Sequence, residues 1–158
     1  MRRVLLVILV VALLPALAAA QDRPYSGLGY AFFAPGGASP GNNMLMHFGV
    51  GGEGFAYKGL AAGAEIGMVV PKECLSEGIG LFSPNASYHF NRNAKLVPFV
   101  TGGYSLGFRQ GIGNMVNFGG GVNYWFKPRL GLHLAFRDHL YPPENGHLWE
   151  FRFGLSFR

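Results

Sequence analysis

The sequence has 158 residues, of which 49% are hydrophobic, 15% aromatic and only 13% charged, and 25 are glycine. A soluble domain carries about 25% charged residues and about 7% glycine, so this composition does not fit a soluble globule. Disordered chains lack the aliphatic and aromatic residues that are abundant here, and the glycines do not recur at every third position as in collagen. The length predicts a single domain.

Residues 1–20 are predicted to be a secretory signal of the Sec type, which leaves residues 21–158 as one mature domain. Two arginines open the segment after the initial methionine, an apolar run follows at residues 4–14, and three alanines stand just before Gln21. This order of charged, apolar and small residues is typical of a cleaved signal. The apolar run is too short for a transmembrane helix, which needs about 20 residues.

The charge of the mature chain and its single cysteine argue against a nucleic-acid-binding protein and against a disulfide-bonded one. Removing the two signal arginines leaves 11 basic and 8 acidic residues with no basic run, so we expect no nucleic-acid partner. Cys74 is the only cysteine; it cannot form an intramolecular disulfide, and we expect a free thiol in a loop. No cofactor is expected.

Glycine disfavours long helices, and the mature chain instead has apolar residues at every second position, which is typical of β-strands with one apolar face. The first four strands are predicted at residues 25–33, 44–53, 60–68 and 82–90. The first is the least clear, because both of its faces are partly apolar. In the fourth, Pro84 predicts either a bulge or a strand that begins later than Gly78, because proline removes a ladder hydrogen bond.

The last four strands are predicted at residues 96–108, 116–126, 130–137 and 149–157. The fifth has two partly apolar faces, and Pro98 fits near its start. In the sixth, Trp125 is the only residue that breaks the polar face. The eighth is the clearest. Its apolar positions are Trp149, Phe151, Phe153, Leu155 and Phe157, and between them stand Glu150, Arg152, Gly154 and Ser156.

Short connectors alternate with longer ones along the chain. The short connectors are predicted at residues 58–59, 91–95 and 127–128, and the longer ones at 34–43, 70–77, 109–113 and 141–146. Eight strands of about eleven residues with these connectors account for the mature chain. The sequence therefore predicts an all-β protein, an eight-stranded antiparallel up-and-down barrel.

The polar strand faces carry glycine, serine, asparagine and histidine with few charges, which fits a narrow interior better than a water-exposed exterior. The apolar faces are then predicted to point outward into lipid, where a sheet must close into a barrel so that no backbone group is left unpaired. Eight strands enclose just enough space for side chains to fill. A soluble lipocalin-like barrel with an apolar cavity is the alternative.

Aromatic residues cluster beside the short turns and at the last residues of the chain. The short turns of bacterial outer-membrane barrels face the periplasm, so these aromatics predict an interfacial girdle on the periplasmic side. The girdle residues are Tyr57, Tyr88, Phe90, Tyr124, Phe126 and Phe157. The same turns are basic, and their cations are Lys58, Arg92, Lys95, Lys127 and Arg129.

From Tyr25 to Arg158 the pattern resembles the small OmpA/OmpX-type outer-membrane β-barrels and the wider outer membrane protein β-barrel domain family. Residues 124–132, Tyr-Trp-Phe-Lys-Pro-Arg-Leu-Gly-Leu, look like the family's penultimate hairpin. Residues 151–157 look like the terminal strand read by the barrel-assembly machinery, although Arg158 follows where family members usually end on the aromatic. The resemblance implies a cell outer-membrane location and contact with outer-membrane lipid and, during insertion, with the assembly machinery. We expect a monomer with a structural or surface-interaction role in the cell envelope.

Charged residues also fall on the inward strand faces. They are Glu53, Glu65, Arg137, Glu150 and Arg152. Buried charge is costly unless it is paired, so the opposite signs predict a salt-bridge network that plugs the interior, with Glu150 bridging Arg137 and Arg152. A polar conduit for water or small solutes is the alternative.

Three histidines share the inward faces, namely His47, His89 and His133. Their spacing matches no recognised set of metal ligands, so we expect no metal site.

An enzymatic alternative is a hydrolase that modifies lipid A, because barrels of this size include outer-membrane lipid A deacylases. Such an enzyme needs a nucleophile, a base and an orienting acid at the outer rim. The nearest match is Asp138, His139 and Tyr141 with Glu144 beyond, and tyrosine stands where the family pattern has serine. We therefore expect Asp138 and His139 to be rim residues and the protein not to be an enzyme.

Overall fold

The computed structural model describes residues 25–39, 43–72, 78–108, 112–142 and 145–158. The predicted signal at residues 1–20, Cys74 and Glu144 lie outside these residues.

Eight antiparallel strands form one closed barrel in which each strand pairs with its neighbours in the chain and the first pairs with the last. The strands are β1 (Gly27–Ser39), β2 (Asn43–Tyr57), β3 (Leu60–Pro71), β4 (Ile79–His89), β5 (Leu96–Phe108), β6 (Ile112–Lys127), β7 (Leu130–Tyr141) and β8 (Gly146–Phe157). The predicted eight-stranded antiparallel barrel is confirmed. Within the described residues, no helix is long and apolar enough to cross a membrane.

Three turns lie at the end of the barrel that also holds the first and last described residues. Lys58 and Gly59 join β2 to β3. Pro128 and Arg129 join β6 to β7, and residues 90–95 join β4 to β5. Lys58 has a φ of 48°, the left-handed conformation that tight two-residue hairpins require. This end of the barrel is called the turn end below.

The predicted connector at residues 34–43 was wrong, because strand pairing between β1 and β2 continues until only residues 40–42 remain between them. Pro35 pairs with β2 but interrupts the pairing of β1 with β8. A Cβ on Gly36 would collide with the backbone carbonyl of Trp149, so glycine here permits β1 to approach β8 closely. Residues 36–39, which have the composition of a loop, therefore belong to the β1–β8 pairing that closes the barrel.

Pro84 lies inside β4, which begins at Ile79. It pairs with Ala64 of β3, while the ladder between β4 and β5 lacks pairs at Ser83 and Pro84. The register with β5 is the same on both sides of this gap. The strand therefore accommodates the missing N–H by losing ladder bonds to one neighbour, without a bulge.

Side chains alternate between an apolar outer surface and a largely polar interior. On β8, Phe151 and Phe153 are 50% and 52% exposed, whereas Glu150 and Arg152 are each 1% exposed. The predicted inverted arrangement is confirmed, and the lipocalin-like alternative, which requires an apolar cavity, is wrong.

One sector of the interior is apolar. Its buried cluster consists of Leu28, Tyr30, Phe32, Ala34, Phe55 and Ala61. Most of these residues come from β1, which explains why both faces of that strand are apolar in the sequence.

Candidate functional site

The middle of the interior is organised around the carboxylate of Glu65 on β3. Arg152 on β8 donates from Nη1 to both of its oxygens, at 2.9 and 2.8 Å. Arg137 on β7 donates to Oε2 at 2.9 Å, and the hydroxyl of Tyr30 on β1 donates to Oε1 at 2.6 Å. The Arg152 guanidinium also lies over the ring of Phe32, 4.2 Å from its centroid. Side chains from four strands thus meet at one buried carboxylate.

This pairing differs from the predicted one, in which Glu150 bridges the two arginines. Glu150 accepts from Arg152 Nε at 2.5 Å, but Arg137 binds Glu65 rather than its register partner Glu150. Register partners lie about 5 Å apart, and a long guanidinium side chain can reach across the narrow lumen of eight strands instead. Glu65 is the bridge.

A second cluster surrounds Glu150, nearer the end of the barrel opposite the turn end. His47 Nδ1 lies 2.8 Å from Glu150 Oε2, and His139 Nε2 lies 3.6 Å from Oε1. Ser105 Oγ lies 3.0 Å from His139 Nδ1 and accepts from Asn117 at 2.8 Å. All five side chains are buried, so the cluster closes this part of the lumen.

The prediction that His139 is a rim residue was wrong, since its side chain is fully buried in the lumen. His139 follows Arg137 by two positions and therefore shares its inward face. Asp138 lies on the outer face between them.

Glu53 occupies a third cluster, nearer the turn end, and its partners there are a hydroxyl and an imidazole. Ser87 donates to Glu53 Oε2 at 2.7 Å, and His89 Nε2 lies 2.7 Å from the same oxygen. The predicted network of five charges is therefore arranged as an arginine-paired core around Glu65 and Glu150, with Glu53 held separately.

A row of stacked rings connects this third cluster to the centre. The ring centroids of His89 and Phe99 are 5.1 Å apart, those of Phe99 and His133 are 5.3 Å apart, and those of His133 and Tyr30 are 4.8 Å apart. His133 Nδ1 also lies 2.9 Å from the side-chain oxygen of Asn123. In the described part of the chain, no three His, Cys, Asp or Glu side chains are grouped so as to hold a metal ion.

Two arginines and three aromatic rings fill the lumen at the turn end. The Arg92 guanidinium lies 3.6 Å from the centroid of Phe55 and 4.7 Å from that of Tyr25. The Arg158 guanidinium lies 4.3 Å from Trp125 and 4.9 Å from Tyr25. Sequence reasoning missed this cluster, and its only sequence signal was a tryptophan on a polar strand face.

The outer surface at the turn end carries the residues predicted as a girdle. The exposed ones are Tyr57, Tyr88, Phe90, Phe126 and Phe157, and Tyr124 is half-buried. All six side chains belong to strand ends or to the residue beside a turn.

At the opposite end, the outer surface carries an ion pair that the sequence did not predict. His147 Nδ1 of β8 lies 2.9 Å from Asp138 Oδ2 of β7. Ser39 of β1 is the register partner of His147 on its other side, and Ser39 and His147 are both exposed. A carboxylate, an imidazole and a hydroxyl thus stand on three adjacent strands and share the outer face.

Neither a protein-family model nor a curated protein sequence matches this chain. The N-terminal β-barrel domain of OprF from Pseudomonas aeruginosa matches in structure with a TM-score of 0.64 and 21% identity, over 84% of this chain and 96% of that one. Neisserial surface protein A matches with a TM-score of 0.60 and 15% identity, over 85% and 97%. The outer membrane enzyme PagL matches with a TM-score of 0.56 and 13% identity, over 82% and 99%.

These matches define the fold, which is that of the small eight-stranded outer-membrane β-barrels. The solved neighbours include both a surface protein and an enzyme. The fold alone therefore does not specify an activity.

Proposed function

We propose that the protein is an integral β-barrel of a bacterial outer membrane, where its sealed barrel has a structural or surface-interaction role without catalysis. The observation that carries this proposal is the combination of an apolar outer surface with a buried, mutually paired set of charges in the lumen. The partners that follow are outer-membrane lipid and, during insertion, the assembly machinery.

The outer surface supports the membrane location. Exposed large hydrophobic side chains project from all eight strands, and a surface of this kind is stable in lipid rather than in water. The strands have 11 to 16 residues, and about 9 to 11 tilted residues suffice to cross the hydrocarbon layer. The closed ladder leaves no sheet edge to be satisfied in lipid.

The packed interior supports a sealed barrel rather than a diffusion pore. From the turn end to the opposite end, the lumen holds in succession the arginine–aromatic cluster, the Glu53 cluster, the Glu65 centre and the Glu150 cluster. Solute passage would require several of these buried contacts to break at once, and breaking buried ion pairs is costly.

Refolding in detergent with a gel-mobility assay, followed by planar bilayer recording, tests the proposal. We expect a β-type circular dichroism spectrum, a mobility that changes on boiling, and no steady conductance. A helical spectrum or solubility without detergent contradicts the membrane barrel. A steady conductance of the unmodified protein contradicts the sealed lumen and favours the conduit.

A second candidate function is hydrolysis of a membrane-lipid ester, favoured by the Asp138–His147 ion pair and by Ser39 as the register partner of His147 on the adjacent strand. In a serine hydrolase the carboxylate orients the imidazole through Nδ1, and Nε2 takes the proton as the hydroxyl attacks the ester carbonyl. The alkoxide leaves with that proton, and water then hydrolyses the acyl-serine. The lipid-facing rim is where the ester groups of a bilayer lie.

Labelling with a fluorophosphonate probe and release of fatty acid from refolded protein in lipid A-containing vesicles test this candidate. Catalysis requires labelling and release that are both lost in Ser39→Ala and in His147→Ala. Ser26→Ala is the matched control, since Ser26 is exposed at the turn end. Absence of labelling in the unmodified protein supports the non-catalytic proposal.

A further inference from the structure

Basic side chains are concentrated at the turn end of the barrel. They are Lys58, Arg92, Lys95, Lys127, Arg129 and Arg158. In the part of the chain that the structure describes, the other cations are two arginines buried in the lumen and Lys72 beyond the far end of β3.

No described side-chain carboxylate offsets this charge at the outer surface of the turn end. Glu53, Glu65 and Glu150 are buried in the lumen with their partners. Asp138 lies near the opposite rim and pairs with His147. Among the described side chains, the exposed cations of the turn end therefore have no carboxylate partner at the outer surface.

The six cations divide into two groups by what they contact. Arg92 and Arg158 turn inward over the lumen aromatics, where Arg92 donates to the carbonyl of Lys58 at 2.6 Å and Arg158 to the carbonyl of Pro128 at 2.7 Å. The other four, Lys58, Lys95, Lys127 and Arg129, are exposed. The exposed four are the ones available to a ligand.

Three of the exposed cations lie together on the β5–β6–β7 side. The Trp125 N–H donates to the carbonyl of Lys95 at 2.8 Å, which places Lys95 beside the end of β6. Lys127 is the last residue of β6, and Arg129 lies in the turn that follows. Lys95, Lys127 and Arg129 are called the β6 cation cluster.

The β6 cation cluster adjoins the outward aromatic residues. Lys95 Nζ lies 5.3 Å from the centroid of the Tyr124 ring, and Phe126 projects from the outer surface one residue before Lys127. Aromatic side chains of membrane barrels lie at the level of the lipid headgroups. Ammonium and guanidinium groups just beyond that level are at the height of lipid phosphates.

We propose that the β6 cation cluster is a binding site for the phosphate of an anionic phospholipid, of the phosphatidylglycerol type, in the leaflet at the turn end. The inference rests on the proposed membrane location. Arg129 supplies a planar fork that suits two phosphate oxygens, the two lysines supply point charges, and Tyr124 and Phe126 contact the glycerol and upper acyl chains. A zwitterionic lipid binds less well because its own cationic headgroup is repelled.

Electron spin resonance of spin-labelled lipids in reconstituted phosphatidylcholine vesicles tests the site. We expect labelled phosphatidylglycerol to be retained at the protein in preference to labelled phosphatidylcholine, on the order of five-fold at low salt, the factor that one effective basic residue supplies at a membrane surface. The preference should fall toward unity in K95Q/K127Q/R129Q and in 0.5 M NaCl. K72Q is the matched control and should retain it.

The outcomes distinguish failure of the lipid site from failure of the proposed membrane location. If the unmodified barrel inserts, shows heat-dependent gel mobility and yet retains the two lipids equally, the site is refuted while the membrane barrel stands. If the triple variant inserts and keeps the full preference, the charge that selects the lipid lies elsewhere and the proposal is also refuted. Failure of the unmodified protein to insert refutes the proposed membrane location itself.

Discussion

Glu65 and Glu53 are both buried glutamates on the lumen face of neighbouring strands, but they are satisfied by different chemistry. Glu65 accepts hydrogen bonds from two guanidinium groups and a phenol. Glu53 contacts a hydroxyl and an imidazole. Removing Glu65 would leave two buried guanidinium groups with only Glu150 as a nearby counter-charge, whereas replacing Glu53 by an amide would leave groups that can still hydrogen-bond.

The comparison predicts that the stability cost of losing a buried carboxylate depends on the partners that it leaves behind. A partner that is permanently charged remains charged and buried after the loss. A hydroxyl or imidazole can reorient toward another acceptor or a water molecule. The stability of this barrel should therefore depend most on the centre, where the arginines converge.

Glu65→Ala should have the largest effect. It leaves Arg137 and Arg152 with Glu150 as the remaining carboxylate in their neighbourhood, and the barrel should lose about 3–5 kcal/mol of unfolding free energy. Urea unfolding in lipid vesicles, followed by tryptophan fluorescence, measures this loss. Lys72→Ala, an exposed change, should cost less than about 1 kcal/mol, and an equal cost for both variants would contradict the central role of Glu65.

Glu150→Ala should have the next largest effect, about 2 kcal/mol or more. Arg152 keeps its bonds to Glu65, but His47 and His139 lose their shared carboxylate. The same unfolding assay applies. If stability is unchanged and planar bilayers instead show a new steady conductance, the cluster is a gate and the conduit alternative replaces the sealed lumen.

Glu53→Gln should have the smallest effect, on the order of 1 kcal/mol, because an amide oxygen can still accept from Ser87. Urea unfolding of Glu53→Gln and of Glu65→Gln compares the two sites, because both substitutions replace a carboxylate by an amide of the same size. A Glu53→Gln loss as large as that of Glu65→Gln would show that partner chemistry does not set the cost.

The sequence predicted the fold well because alternation with a period of two is a local property of each strand. On β8, apolar residues alternate with polar or small ones over the predicted residues 149–157, and the structure begins that strand three residues earlier, at Gly146. On β1 the alternation is obscured because Tyr30 and Phe32 face the lumen, where Tyr30 stacks on His133 and Phe32 lies beneath Arg152. The sequence of a single strand does not distinguish an apolar residue that faces the lumen from one that faces lipid.

The pairing of the buried charges could be predicted only in part. The alternation of residues along a strand identifies which side chains face the lumen. The register identifies neighbours on adjacent strands, such as Arg137 and Glu150. The contact between Arg137 and Glu65 joins β7 to β3 across the barrel. Such contacts depend on how the strands are staggered at closure, which no local pattern records.

Site-directed spin labelling measures whether the apolar face of the barrel contacts lipid. In a Cys74→Ser background, nitroxides at Leu132 and His133 report the two faces of β7, since Leu132 is 41% exposed and His133 is 4% exposed. We expect a label at Leu132 to be accessible to oxygen dissolved in lipid and shielded from a water-soluble nickel reagent, and a label at His133 to be shielded from both. High nickel accessibility at Leu132 would mean that this face of β7 contacts water and not lipid.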